Sequence, residues 1–226
     1  MIKFLRKIKH LLKGIYIPVK IKRIEKRWYG NNYGGFYLYD KNIDNTSVIY
    51  SIGIGEDVSF DMELINKFNC KVFAYDPTPK SVKWVDKNVN LDNFIFHPLG
   101  VANQKGEREF YLPKNQNHVS GSINKINSIE IKNSIKLNFD SLNNLMKLNG
   151  HNKIDVLKMD IEGSEYDVID SILTDKIEID QILVEFHPHL IQNGRSKTKN
   201  SIKKLENIGY KCFARSNSFF EYSFIK

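Results

Sequence analysis

From residue 47 onward, short apolar runs alternate with segments of helical periodicity, and that rhythm narrows the fold more than any other property of the chain. The runs are Ser47–Ile52 (SVIYSI), Lys71–Tyr75 (KVFAY), Phe94–Leu99 (FIFHPL), Asp155–Met159 (DVLKM) and Gln181–Phe186 (QILVEF). Helices are expected over Asp57–Phe68, Pro79–Val89, Ser164–Leu173 and Lys199–Ile208, with Gly209 a stop after the last. Two further strands, Lys211–Arg215 and Phe220–Ile225, flank a Ser-Asn-Ser turn and predict an antiparallel hairpin. The expectation is one α/β domain built on a mostly parallel sheet that ends antiparallel. Residues 106–126 interrupt the alternation with a predicted hairpin at Glu109–Leu112 and a polar stretch, Asn115–Ser122. An insertion there is expected over the carboxyl edge of the sheet, where open α/β folds bind ligands.

Charge divides the chain in two. Residues 1–30 carry ten Lys and Arg against one acid, Glu25, whereas the remainder carries 24 basic against 25 acidic residues. The excess of +8 therefore belongs to a leader, taken as residues 1–34, and the body, 35–226, is near neutral. Ile2, Leu5, Ile8 and Leu12 recur at helical spacing among the leader's lysines and arginines. A basic amphipathic helix of this kind suits an anionic membrane surface, and equally an apolar stripe docked on its own domain; both readings stand at this stage. The lysines break the apolar run, and no small-residue cleavage site follows, which argues against a secretory signal. No uncharged apolar run approaches the ~18 residues of a spanning helix. Two cysteines, Cys70 and Cys212, make no disulfide framework or sulfur-based metal site and fit a reducing cytosol. A nucleic-acid partner is not expected, because the body that would face a phosphate backbone has no positive excess.

The first strand runs into Ser51-Ile52-Gly53-Ile54-Gly55-Glu56-Asp57 and then a helix. Glycines there permit a sharp turn and a close backbone approach to a ligand, although a tight strand-to-helix corner explains a lone GxG equally well. Asp76 ends the second strand, 21 positions after Gly55, where a carboxylate accepts hydrogen bonds from ribose hydroxyls. Val58 stands where a dinucleotide fold has its third glycine. Glu56 and Asp57 are unwelcome beside a pyrophosphate but suit a cofactor bearing an amino group and a sulfonium.

Residues 48–60 (VIYSIGIGEDVSF), 72–85 (VFAYDPTPKSVKWV), 117–122 (NHVSGS), 155–169 (DVLKMDIEGSEYDVI), 181–187 (QILVEFH) and 221–225 (EYSFI) together resemble the FkbM family of methyltransferases. The likeness spans nearly everything after about residue 35, and the KMDIEG block is its most selective part. It implies a class I methyltransferase fold, Rossmann-like with a seven-stranded, mostly parallel sheet and a C-terminal antiparallel hairpin. It also implies S-adenosylmethionine as cofactor and O-methylation of acceptors that are often sugars or polyketide-like hydroxyls. The cofactor set expected on this basis is Ser51, Gly53, Gly55, Glu56, Asp76, Pro77, Gly100 and Asp160. Ser51 departs from the broader pattern, in which an acid is common at the end of strand one; Glu56 is the candidate replacement.

Methyl transfer requires alignment of acceptor oxygen, methyl carbon and sulfur, and for an alcohol a route for its proton. Candidates lie after strands four and five: Lys158, Asp160 and Glu162, then His187 and His189. His187, with an ordinary pKa of about 6.5, is the first choice for a base, and a structural histidine at a strand end is the competing reading. Asp160 is expected to orient cofactor or acceptor, Glu162 to cap the next helix, and His118 in the polar stretch is the second choice of base. Asp160, Glu162 and His187 are also a conceivable cation set, but such scattered ligands are common without metal, and none is assigned. The expected acceptor is a hydroxyl of a sugar or glycan precursor, with a nucleic-acid methyltransferase and a non-catalytic binding module of the same fold as the competing readings; the expected location is the cytoplasm or the inner face of a membrane.

Overall fold

The computed structural model describes residues 2–12, 16–111, 121–122 and 134–226. In chain order the helices are α1 (Ile2–Leu12), α2 (Ser59–Phe68), α3 (Pro79–Asn88), α4 (Leu142–Leu148), α5 (Glu165–Thr174) and α6 (Gly194–Asn207). The strands are β1 (Arg27–Tyr29), β2 (Phe36–Leu38), β3 (Val48–Ile52), β4 (Lys71–Tyr75), β5 (Phe94–His97), β6 (Gly100–Ala102), β7 (Gly106–Tyr111), β8 (Ser134–Ser141), β9 (Lys153–Met159), β10 (Glu178–Glu185), β11 (Lys211–Arg215) and β12 (Glu221–Ile225).

Seven strands form the central sheet in the order β11-β12-β10-β9-β3-β4-β5. β10, β9, β3, β4 and β5 run parallel, and β12 is antiparallel to both of its neighbours. The hairpin is thus present, but its second strand inserts next to β10 and pushes β11 to the edge. This is the seven-stranded, mostly parallel arrangement with an antiparallel end that the resemblance implies.

Period-2 alternation along the strands sorts side chains to two faces. Tyr50, Ile52, Leu157 and Met159 face one layer with Leu142 and Leu145 of α4, Tyr166 and Ile169 of α5, and Leu205 of α6. Ile49, Val72 and Val156 face the other with Phe60 and Leu64 of α2, Val85 of α3, and Tyr29, Phe36 and Leu38 of the β1–β2 pair. β1 lies on the leader side of the expected boundary at residue 34, yet it pairs with β2 and Tyr29 is buried.

Several boundaries differ from expectation for local reasons. β5 stops at His97 because Pro98 has no N–H to continue the ladder. α2 begins at Ser59 rather than Asp57, since Asp57 Oδ1 accepts from the Ser59 amide and so serves the helix start. α6 begins five residues early, at Gly194. β7 pairs with β8, Glu109 opposite Lys136, so its main partner lies beyond the polar stretch rather than within the predicted hairpin at 109–112. The alternating SIKLNFDS of β8 and the helix α4 were not expected. Of the polar stretch, 115–120, and His118 with it, lies outside the described residues.

Candidate active site

The β3–α2 turn is held from both sides. Gly53 N–H donates to the Tyr75 carbonyl at 2.9 Å, and the Asp160 amide donates to the Ile52 carbonyl at 3.0 Å, tying the turn to the ends of β4 and β9. Gly53 has φ +75° and Gly55 φ +57°. A Cβ on Gly53 would sit 1.8 Å from the Asp160 carbonyl oxygen, so glycine is required by both backbone angle and space. Asp76, at the end of β4, is 5% exposed. Its Oδ2 accepts from the Gly55 amide at 2.9 Å, while Oδ1 accepts from the Thr78 amide at 2.9 Å and the Thr78 hydroxyl at 2.7 Å. Burial raises its pKa from the ordinary carboxylate value, against the opposing pull of these hydrogen bonds.

Above the turn opens a cavity of about 620 Å³, within the range of roughly 300–1,000 Å³ typical of small-molecule sites. Gly53, Gly55, Asp76 and Pro77 form its floor, Gly100, Val101, Phe110 and Phe139 bring an apolar wall from the three-stranded sheet β6-β8-β7, and Gly121 packs beside Phe110. Gly100 and Gly121 are needed there because a Cβ on either would lie 2.2 Å from the ring of Phe139 or Phe110. The connection from β1 to β2 supplies Asn31 and Tyr33. Asn31 Nδ2 donates to Asp57 Oδ2 at 2.7 Å, fastening that connection to the start of α2. Glu56 also lines the cavity and pairs with Lys80 Nζ at 3.1 Å.

Beside the cavity, the ends of β9 and β10 converge. Glu165, fully buried at the start of α5, accepts from the Gly163 amide and the His187 amide, each at 2.7 Å, and so locks the two loops together. His187, 4% exposed, directs Nε2 toward Asp160 Oδ1 (3.5 Å), Glu162 Oε2 (3.5 Å) and Glu185 Oε1 (3.7 Å). Burial by itself would lower the imidazole pKa, but Glu165, Asp160 and Glu162 more than offset it and hold the ring well above its usual value. Burial, reinforced by Asp160, pushes Glu185 up to about 9, and burial pushes Asp160 up to about 6 against the opposing pull of His187 and Lys158. Tyr33 feels the same acids: burial and then Asp160, Glu162 and Glu185 raise its phenol.

The FkbM methyltransferase domain model matches residues 45–212, the span that contains this turn, cavity and cluster. The chain belongs to the FkbM methyltransferase family. Membership implies S-adenosylmethionine as methyl donor. The probable methyltransferase-like protein 24 of Homo sapiens is 26% identical over 144 residues, 62% of this chain and 32% of that protein. Its counterpart in Rattus norvegicus is 28% identical over 150 residues, 62% and 33%. The chain thus spans about a third of these relatives. Among solved structures, a precorrin-6y C5,15-methyltransferase from Geobacter metallireducens aligns over 82% of this chain and 84% of its own, with TM-score 0.45 and 13% identity. The fibrillarin pre-rRNA processing protein of Methanococcus jannaschii aligns over 92% and 85%, with TM-score 0.48 and 14% identity.

In this FkbM domain the site suits the family's cofactor. Asp76 Oδ2 accepts one backbone hydrogen bond and retains a lone pair toward a ribose hydroxyl, the glycine turn admits close approach, and Val101, Phe110 and Phe139 offer an apolar face to a purine. Bound there, S-adenosylmethionine supplies an electrophilic methyl group on a sulfonium. Of the residues expected from sequence, Gly53, Gly55, Glu56, Asp76, Pro77, Gly100 and Asp160 line the cavity. Ser51 and Lys158 do not. They sit opposite each other on β3 and β9, 0% and 3% exposed, on the sheet face covered by α2. There Lys158 Nζ lies 5.8 Å from the Phe36 ring centroid and is the main positive charge acting on Asp61, a fully buried acid of α2. Asp61 thus lies on the far side of the strand from the cavity, whereas Glu56, the candidate replacement for the acid absent at position 51, lines it.

Sequence reasoning missed Asn31, Tyr33, Asp61, Glu165 and Glu185. The run Tyr29-Gly-Asn-Asn-Tyr-Gly-Gly35 between Trp28 and Phe36 carries turn chemistry that marks the first two as part of a hairpin. The three acids had no comparable local signal.

Proposed function

We propose that this FkbM domain transfers the methyl group of S-adenosylmethionine to a hydroxyl oxygen of a sugar or glycan precursor. The O–CH3 bond forms as the CH3–S bond breaks, the sulfur leaves with the electron pair as S-adenosylhomocysteine, and the hydroxyl proton passes to the enzyme or solvent. The observation that carries this reading is the wall of Asp160, Glu162 and Glu185 around His187, beside the cofactor cavity and facing Tyr33. Carboxylates accept hydrogen bonds from vicinal hydroxyls, whereas the phosphates of a nucleic acid would be repelled there. The test is transfer of labelled methyl to nucleotide sugars, neutral oligosaccharides and RNA in parallel. Label in the sugars, with a mass gain of one methylene on a hydroxyl, is expected; label in RNA alone would overturn the reading.

We also infer that α1 places the enzyme on an anionic membrane surface. Leu5, Ile8, Leu11 and Leu12 are exposed, whereas His10, on another side of the helix, is buried against Phe219 and Phe220. The apolar residues therefore remain free to enter a headgroup layer flanked by the leader's lysines. No helix among the described residues is long and apolar enough to cross a membrane.

A further inference from the structure

Three carboxylates face a single imidazole at the ends of β9 and β10, and no lysine or arginine forms an ion pair with any of them among the described residues. Within ion-pair distance, the imidazole is the one cationic partner these carboxylates have among the described residues. His187 is buried, and its Nδ1 has no hydrogen-bond partner among the described residues, standing 3.5 Å from Glu165 Oε1; Nε2 points into the space among the carboxylates. The side chains of Asp160, Glu162 and Glu185 also make no hydrogen bond among the described residues. Partly exposed carboxylates whose lone pairs converge with a buried imidazole nitrogen on one point are what a bound cation draws together.

The geometry is that of a preformed ligand set. One ligand atom each from Asp160, Glu185 and His187 lie within 4.8 Å of one another, and Nε2 stands 3.5 Å and 3.7 Å from the two acids. Adjacent ligands on an ion with bonds of about 2.1–2.5 Å stand roughly 3.0–3.5 Å apart, so a small inward shift closes the site. Glu162, outside that trio, stands 3.5 Å from Nε2. Two carboxylate oxygens and one imidazole nitrogen favour a cation that accepts both donor types, and three ligands leave positions of an octahedron open.

We propose that Asp160, Glu185 and His187 bind a divalent cation of the Mn2+/Mg2+ class, whose open positions take two neighbouring oxygens of the acceptor. The second half rests on the acceptor reading above. Coordination would acidify the hydroxyl and fix it beside the cofactor cavity, with the Asp160–Ser164 loop contributing to both. His187 would then act as a ligand through Nε2, with Glu165 beside Nδ1 setting its tautomer.

Metal-stripped protein titrated with Mn2+, with neither cofactor nor acceptor present, and followed by the electron paramagnetic resonance of free Mn2+, tests the site directly. One ion per chain is expected to bind, with affinity falling in Glu185→Gln and in His187→Gln by more than the roughly 10- to 100-fold that altering an outer partner costs. Mn2+ should raise the melting temperature of the native protein and leave that of each variant unchanged. No binding by the native chain, or equal binding by both variants, would overturn the site. S-adenosylhomocysteine binding is measured separately by calorimetry and sugar methylation by label transfer. A bound metal without sugar methylation would overturn the acceptor reading alone.

Discussion

The Gly55 amide donates to Asp76 Oδ2 at 2.9 Å, so the acid assigned to a ribose also fixes the glycine turn over which that ribose would lie. The residue has two duties, and they separate experimentally. Asp76→Ala leaves the Gly55 and Thr78 amides without their acceptor, an expected loss of about 1–3 kcal/mol in denaturant unfolding. Asp76→Asn keeps one acceptor oxygen and should unfold closer to the native protein, yet lose affinity for S-adenosylhomocysteine in calorimetry. Unchanged affinity in Asp76→Asn would remove the ribose contact.

At Gly53 the backbone angle and the Asp160 carbonyl act together, whereas Gly150 has a similar φ of +73° and nothing within 4 Å of an added Cβ. Gly150→Ala should therefore cost only the left-handed conformation, about 1–2 kcal/mol. Gly53→Ala adds a backbone collision and should cost more than about 2 kcal/mol while abolishing cofactor binding. Equal melting temperatures for the two variants would contradict the close approach.

Burial raises Asp61 above the usual carboxylate range, against the pull of Lys158. The folded state therefore holds the Asp61 proton more tightly than the unfolded chain. Its contribution to stability is fullest below the ordinary carboxylate pKa and declines as pH rises through the raised one. Removing Lys158 enlarges that decline. Lys158→Met is expected to cost about 3–5 kcal/mol at neutral pH and visibly less at about pH 5, as urea unfolding at the two pH values would show. The same loss at both would uncouple the two residues.

For α1, the protein should sediment with vesicles containing phosphatidylglycerol and remain in solution with phosphatidylcholine alone. Added salt should weaken the association. Leu5→Asp combined with Leu12→Asp should abolish it without altering cofactor affinity. Equal sedimentation with both lipids would remove the electrostatic part of the inference.

What the sequence made legible follows from the range of each interaction. β3 and β4 were found to within a residue, and β9 and β10 to within three at their starts, because burial on two faces leaves a continuous local signal that fades at the polar ends of the longer strands. The glycine turn, Asp76 and Asp160 were legible because their spacing is set by one strand and one helix. Glu185 was not, since an acid at a strand end looks the same whether it meets solvent or a histidine and two other carboxylates. Asp61 sits on α2 as an ordinary first-turn acid, and only the approach of Lys158 from β9 gives it another meaning. Tyr33 was assigned to a charged leader, although it is the return of β2 beside β10 and β12 that brings it to the cavity.

The insertion of β12 between β10 and β11 bears on how the chain assembles. β11 pairs only with β12, and β10 has β12 as its outer neighbour, so the sheet stays incomplete until residues 221–225 arrive. Until then β10 presents an open, strongly apolar edge of the kind that recruits other chains. A nascent or truncated protein lacking that last strand would thus be prone to aggregation, although every residue lining the cofactor cavity precedes it. The order of synthesis leaves the half that lines the cavity waiting for a strand that lines none of it.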